Sequence, residues 1–88
     1  MRMDELAKLR KRVDEVDDQI LKALSERAKI CKDIGDVKKQ QGLAVRDASR
    51  ESEVYQRIKK KSAKFALDPA QVEAVYREIV NMCSAVQE

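Results

Sequence analysis

The chain has 88 residues, 40% of them charged and 43% hydrophobic, with one Pro, two Gly, three aromatic side chains and a formal net charge of +3. That length implies one small domain over residues 1–88, and a monomer of this size buries only about 60 to 65% of its unfolded surface, so a partner chain would add needed stability. The composition favours an all-α fold over a sandwich or barrel, and the complete lack of histidine removes the usual general base, the usual zinc ligand and the common nucleophile relays.

The small basic excess favours an anionic ligand but falls short of a nucleic-acid-binding signature. No apolar run approaches the roughly 20 residues of a membrane span, and the N-terminal stretch MRMDELAKLRK lacks the apolar centre of a signal peptide. The expectation is a soluble, cytoplasmic protein with no membrane partner. Cys31 and Cys83 form no CxxC pair and read as free thiols in a reducing compartment.

Apolar residues recur at spacings of three and four from Leu6 through Leu9, Val13, Val16, Ile20 and Ala23 to Ile30, Ile34 and Val37. One amphipathic helix from about Met3 to about Gln41 follows. At 1.5 Å per residue it would be roughly 58 Å long, more than a compact 88-residue monomer needs. Such a helix must pack on another chain. Gly42 is placed to cap its C-terminus, and Asp47 to cap a second helix from about Ala48 to Ala63. In that helix Val54, Tyr55 and Ile58 face inward and the Lys59-Lys60-Lys61 run faces solvent. Asp68-Pro69 starts a third helix, because Asp caps and Pro suits the first helical position. Val72, Val75, Tyr76, Ile79, Val80, Cys83 and Val86 mark its buried stripe. The chain has no repeats, low-complexity segments or interdomain linker.

Charges fall where the seam of the first helix should be apolar. Continuing the register past Ile20 and Ala23 puts Arg27 in an apolar position, and an Arg buried without a counter-ion is costly. Lys38 lies eleven residues on and about 20° around the helix, with Cys31 and Gly35 between them on the same face. Gly inside a helix costs about 1 kcal/mol relative to Ala, so Gly35 leaves room for a packed neighbour or a ligand. Two readings are open: Arg27 and Lys38 pair with acids such as Glu51, or together they hold an anion. Arg10 lies 17 residues before Arg27, about 25 Å along the axis, so the two cannot grip one small ligand within a single chain. An antiparallel copy of the helix would bring Arg10 of one subunit to Arg27 of the other.

These residues carry a resemblance. Leu9-Arg10-Lys11, Ser25-Glu26-Arg27, Gly35-Asp36-Val37-Lys38, Val45-Arg46-Asp47 with Arg50-Glu51, and Gln87, in that order and spacing, resemble the all-helical class of chorismate mutase across nearly the whole chain. The resemblance implies an intertwined helical homodimer with two equivalent sites. It also implies conversion of chorismate to prephenate in phenylalanine and tyrosine biosynthesis, without metal or cofactor. The reaction is an intramolecular Claisen rearrangement that moves no proton and needs no covalent intermediate, which suits a chain lacking histidine and an activated nucleophile.

By the same resemblance, Arg27 and the partner chain's copy of Arg10 would hold the two carboxylates, each through a planar guanidinium fork. Lys38 and Gln87 would donate to the ether oxygen as it gains charge, and Glu51 would accept from the ring hydroxyl. Asp47 would cap the second helix and line the hydroxyl side. Arg50 would lie near a carboxylate and tie the loop down, leaving Arg46 and Ser49 to the surface. Cys83 stands where the family more often has serine, so its thiol would be a weaker donor to a substrate carboxylate, and Cys83→Ser would keep or lower KM. Gln87 depends on the last helical turn staying docked.

Two other functions fit parts of the chain. Isochorismate pyruvate lyase shares the helical scaffold and acts on a similar dianion. A noncatalytic helical dimer would bind acidic partners or nucleic acid through Lys8, Lys11 and Lys59 to Lys61, although the chain has few aromatics for stacking and its acids are interspersed with its bases.

Overall fold

The computed structural model describes the backbone of residues 2–88 and the side chains of residues 4–88. Three helices follow one another: α1 (Arg2–Gln41), α2 (Ala48–Lys64) and α3 (Pro69–Gln87). Each boundary has a local cause. Asp47, in extended conformation, accepts from the Arg50 amide at 3.1 Å and starts α2. Asp68 accepts from the Ala70 and Gln71 amides, and Pro69 opens α3.

Helix α1 ends on Gly42, whose φ of +68° is open to glycine at no steric cost. The Leu43 amide donates to the Lys38 carbonyl at 2.8 Å and the Gly42 amide to Lys39 at 3.3 Å, a Schellman pair that fixes the last turn. Helix α2 ends the same way, with Leu67 donating to Ser62 and Ala66 to Ala63. Here, however, the left-handed position is held by Ala66, at φ +56°.

Helices α2 and α3 form an antiparallel hairpin. Its small core is Val54, Ile58 and Val80, with Tyr55, Val72 and Tyr76 packed against it. At its outer edge Arg77 lies 4.6 Å above the Tyr55 ring, and Glu73 pairs with Lys59 at 2.6 Å. The Lys59 hydrogen bond, first, and the neighbouring charges hold the Glu73 carboxyl below its ordinary value. The hairpin lies along the C-terminal half of α1, with α3 running parallel to it: Leu24 and Ala28 lie near Ile79 and Met82, and Gly35 meets Gln87.

Among the described residues nothing covers the other half of α1. Every residue from Asp4 to Ala23 is exposed, including Leu6, Leu9, Val13, Val16 and Ile20. The molecule accordingly measures 61 Å along its long axis with a radius of gyration of 16.8 Å, against about 12 Å for a compact chain of this length.

Two sequence expectations need correction. Val75 and Val86 do not belong to the buried stripe of α3, being 58% and 42% exposed; Ser84 and Gln87 are buried instead. The helix is turned so that its small and polar side chains meet α1, because α1 there offers Cys31 and Gly35 and takes a close neighbour. Cys31 and Cys83 are also not free: they form a disulfide across 52 residues of sequence, with Cα atoms 5.4 Å apart. The CxxC rule recognises local pairs, whereas this pair is created by the packing of α3 on α1.

Replacing Ala66 by Gly removes the left-handed strain at the end of α2, so Ala66→Gly should raise unfolding stability by about 0.5–1 kcal/mol in urea titration, less what glycine adds to unfolded-chain freedom.

Candidate functional site

A cavity of about 370 Å³ lies where the three helices converge. From α1 it receives Arg27, Cys31 and Lys38, from α2 Arg50, Glu51 and Arg57, and from α3 Cys83, Ser84 and Gln87, with Asp47 and Val45 at the loop side. Seven of the eight residues picked from the sequence therefore meet at one place. Arg10 does not line it, as the 17-residue separation required.

Lys38 is the hub. Its ammonium donates to the Val45 carbonyl of the loop and, at 2.8 Å, to Gln87 Oε1 of α3. One side chain thus joins α1, the loop and α3. Gln87 is 5% exposed, and its Nε2 donates back to the Cys83 carbonyl at 3.1 Å and to Cys83 Sγ at 3.2 Å. The turn carrying Gln87 is therefore docked. A lysine has three N–H donors, so Lys38 retains one beyond the two in use, whereas both N–H groups of the Gln87 amide are engaged at Cys83.

Gly35 makes this docking possible. A Cβ built on it would stand 2.9 Å from Cα, Cβ and Cγ of Gln87. Of the two uses foreseen for this glycine, it serves the packed neighbour, and the neighbour is the backbone of α3.

Of the two readings open for the seam cations, pairing with Glu51 is not what occurs. Glu51 accepts from Arg46 at 3.0 Å, and among the described residues neither Arg27 nor Lys38 has a carboxylate within ion-pair range. Arg27, half-buried, has Nη1 3.7 Å from Cys31 Sγ. Two half-buried cations on the wall of a cavity with no carboxylate partner of their own leave an anion as the group that would compensate them.

Three side chains behave differently from expectation. Arg46, read as surface, spans from Glu51 to Asn81 Oδ1 at 2.6 Å and is the strap that ties the loop to α2 and α3. Arg50, given that task from the sequence, instead pairs with Glu53 at 3.3 Å on an exposed face. Cys83, bonded to Cys31, has no S–H to donate, and its sulfur accepts from Gln87. Sequence reasoning also missed Arg57 and Ser84. Arg57 was legible in principle, since it lies seven residues after Arg50 on the same helix face.

A family model described as chorismate mutase type II matches residues 9–88. The chain belongs to the chorismate mutase type II family. A bifunctional chorismate mutase/prephenate dehydratase from Aquifex aeolicus is 35% identical over 89 residues, covering 98% of this chain and 25% of that protein. A chorismate mutase from Methanocaldococcus jannaschii is 41% identical over 58 residues, covering 66% of this chain and 59% of its own. This type II chain thus spans about a quarter of the first relative and just over half of the second. Among solved structures, a conserved hypothetical protein from Pyrococcus furiosus superposes with a TM-score of 0.73 at 29% identity, over 94% of this chain and 95% of that one.

The Gly35 contact generates a counter-intuitive expectation. Alanine is the better helix former by about 1 kcal/mol, but forcing its methyl against the α3 backbone costs about 1–3 kcal/mol. Gly35→Ala should therefore lower the melting temperature by a few degrees in circular dichroism, and a rise would show that α3 yields freely at Gln87.

Proposed function

We propose that this protein is a chorismate mutase, an isomerase rearranging chorismate to prephenate in the cytoplasm as a step of aromatic amino-acid biosynthesis. One observation carries the reading beyond family membership: Arg27 and Lys38, without carboxylate partners of their own, face a cavity large enough for a small dianion. Among the described residues no helix is long and apolar enough to cross a membrane, which suits that setting.

The chemistry asks for little beyond shape and charge. The enolpyruvyl arm must be held folded over the ring, and the ether oxygen gains negative charge as its bond to carbon breaks. In this reading Arg27 receives one carboxylate through its fork, and Arg50 and Arg57 add positive potential at the α2 side. The spare N–H of Lys38 serves the ether oxygen, and Gln87 joins it by turning one N–H from Cys83. Glu51 accepts from the ring hydroxyl, held in place by Arg46, and Asp47 keeps the start of α2 at the hydroxyl side. Lys38 is already fixed by its bonds to Val45 and Gln87, so little reorganisation of that donor is left for the moment of reaction.

The second carboxylate needs Arg10, and the working unit is therefore a homodimer in which Arg10 of the partner subunit completes each site. The bare apolar stripe from Leu6 to Ile20 supports this arrangement, since it is a helix face that none of the described residues buries.

The decisive assay follows chorismate loss by ultraviolet absorbance, with prephenate identified as product. Lys38→Ala should lower kcat by about 10² to 10³, the usual cost of removing a donor to developing charge, and Arg27→Ala should lower kcat/KM by about 10- to 100-fold. Folded variants that retain wild-type turnover would sink the reading, and pyruvate release from isochorismate would replace it with the lyase.

Sharing between subunits has its own test. When Arg10→Ala and Arg27→Ala chains are unfolded together and refolded, each heterodimer contains one site with both arginines and one with neither, so about a quarter of wild-type activity should return. No recovery would confine each site to a single chain.

Neither ether donor is a carboxyl that must hold a proton near neutrality, and an amide does not titrate there. Activity should stay within about two-fold from pH 6 to pH 8, and a steep loss across that window would remove Gln87 from its role.

A further inference from the structure

The Cys31–Cys83 disulfide stands in the wall of the cavity, and each sulfur touches a different part of the proposed machinery. Cys31 Sγ lies 3.7 Å from the Arg27 guanidinium. Cys83 Sγ accepts from Gln87 Nε2 at 3.2 Å. One covalent bond therefore connects the neighbour of the carboxylate ligand with the neighbour of the ether donor, and it fixes α3 to α1 one helical turn before Gln87. Beyond that bond, the last turn of α3 is held to α1 by the Gly35 contact and by the hydrogen bond from Lys38. Cys31 is buried, at 4% exposure, while Cys83 is half-buried on the cavity wall. Cys31 and Cys83 also line a small cleft with Leu24, Ala28, Ile79 and Met82, and the cavity that substrate would fill is the wider approach for a small dithiol.

We propose that the Cys31–Cys83 disulfide is a positioning element that sets the place of Gln87 beside Lys38, and that its reduction by a dithiol slows turnover while the fold persists. The inference rests on the chorismate mutase reading for its catalytic half. Its structural half stands on the contacts just given.

The reduction balances as ordinary thiol–disulfide exchange. A thiolate of the dithiol attacks Cys83 Sγ, the S–S bond breaks, and Cys31 leaves as a thiolate that takes up a proton. The second thiol of the reductant then displaces Cys83 and closes a disulfide within the reductant. In sum, two electrons and two protons pass to the protein, giving two thiols, and the dithiol is oxidised to a disulfide.

Afterwards the two sulfurs repel to van der Waals separation. The turn bearing Gln87 loses its covalent hold and keeps only packing and one charged hydrogen bond. A donor displaced by a fraction of an ångström loses much of its value in the transition state, whereas substrate held chiefly by arginines is bound nearly as before. In a cytoplasm rich in thiols such a bond would respond to the redox poise of the cell.

The test compares oxidised protein, protein reduced with dithiothreitol and then freed of it, and the variants Cys31→Ala and Cys83→Ala. Iodoacetamide labelling with mass spectrometry first establishes the bond. Two labels should appear only after reduction, and two labels on protein already treated with oxidised glutathione would overturn the proposal.

Reduction should lower kcat about ten-fold with KM changed less than three-fold, at unaltered helicity. Reoxidation should restore the rate, and both variants should match the reduced protein and ignore dithiothreitol. Equal kcat in the oxidised and reduced forms would overturn the positioning role, whereas a loss confined to melting temperature would mark the bond as a structural staple only.

If the oxidised protein fails to turn over chorismate, the mutase reading falls and the tether is judged separately. The Gln87 side-chain amide resonances, assigned with Gln87→Asn, should then shift and exchange faster with water on reduction. Unchanged resonances would overturn the tether as well.

Discussion

The contact between Gly35 and Gln87 sets the geometry of everything around the cavity. Two helices carrying ordinary side chains stand 8–10 Å apart, and here the missing Cβ of Gly35 lets the α3 backbone settle against α1. The approach has three results. It brings Gln87 Oε1 within reach of the Lys38 ammonium, it puts Cys83 opposite Cys31, and it turns α3 so that Ser84 and Gln87, rather than Val86, face inward. The polar centre thus follows from a steric permission granted by one residue.

Lys38 shows how the same residue serves fold and site. Its carbonyl accepts the bond that closes α1, and its ammonium holds both the following loop and the end of α3. Polar groups held on several sides by neighbours in a partly buried place are strong and rigid, and their rigidity is useful when a reaction needs oriented dipoles rather than proton transfer. The acids nearby are committed elsewhere: Asp47 to the amide of Arg50, Glu51 to Arg46. Cation excess in the cavity arises from this division of labour, with acids spent on the frame and Arg27 and Lys38 left to the interior.

The helices were legible because their ends carry chemical punctuation. Asp47, Asp68-Pro69 and Gly42 each impose a local geometry that no distant contact is needed to explain, and the observed bounds fall within a residue of those expected. The cavity was legible because Arg27 and Lys38 break an apolar register at helical spacing. What could not be read is whatever depends on rotation of one helix against another. Arg46 in the loop and Arg50 in the first turn of α2 lie four residues apart in one charged stretch, and only the position of Asn81 on α3 decides which becomes the strap. The disulfide was hidden for the same reason, since 52 residues separate two cysteines that look solitary in one dimension. Ala66 was hidden too, because alanine gives no signal of a left-handed backbone.

The bare first half of α1 divides the chain into two tiers of persistence. From Asp4 to Ala23 the helix keeps its shape through its own backbone bonds, and a segment of that length without tertiary cover is marginal in water. The second half is anchored by α3, a cystine and a Schellman cap. Amide hydrogens of the first half should therefore exchange at the rate of local fraying unless covered by another molecule, while those around Gly35 exchange only with global opening. The same boundary, near Leu24, is where a protease would cut an isolated chain first, and where the onset of protection would report the arrival of a partner.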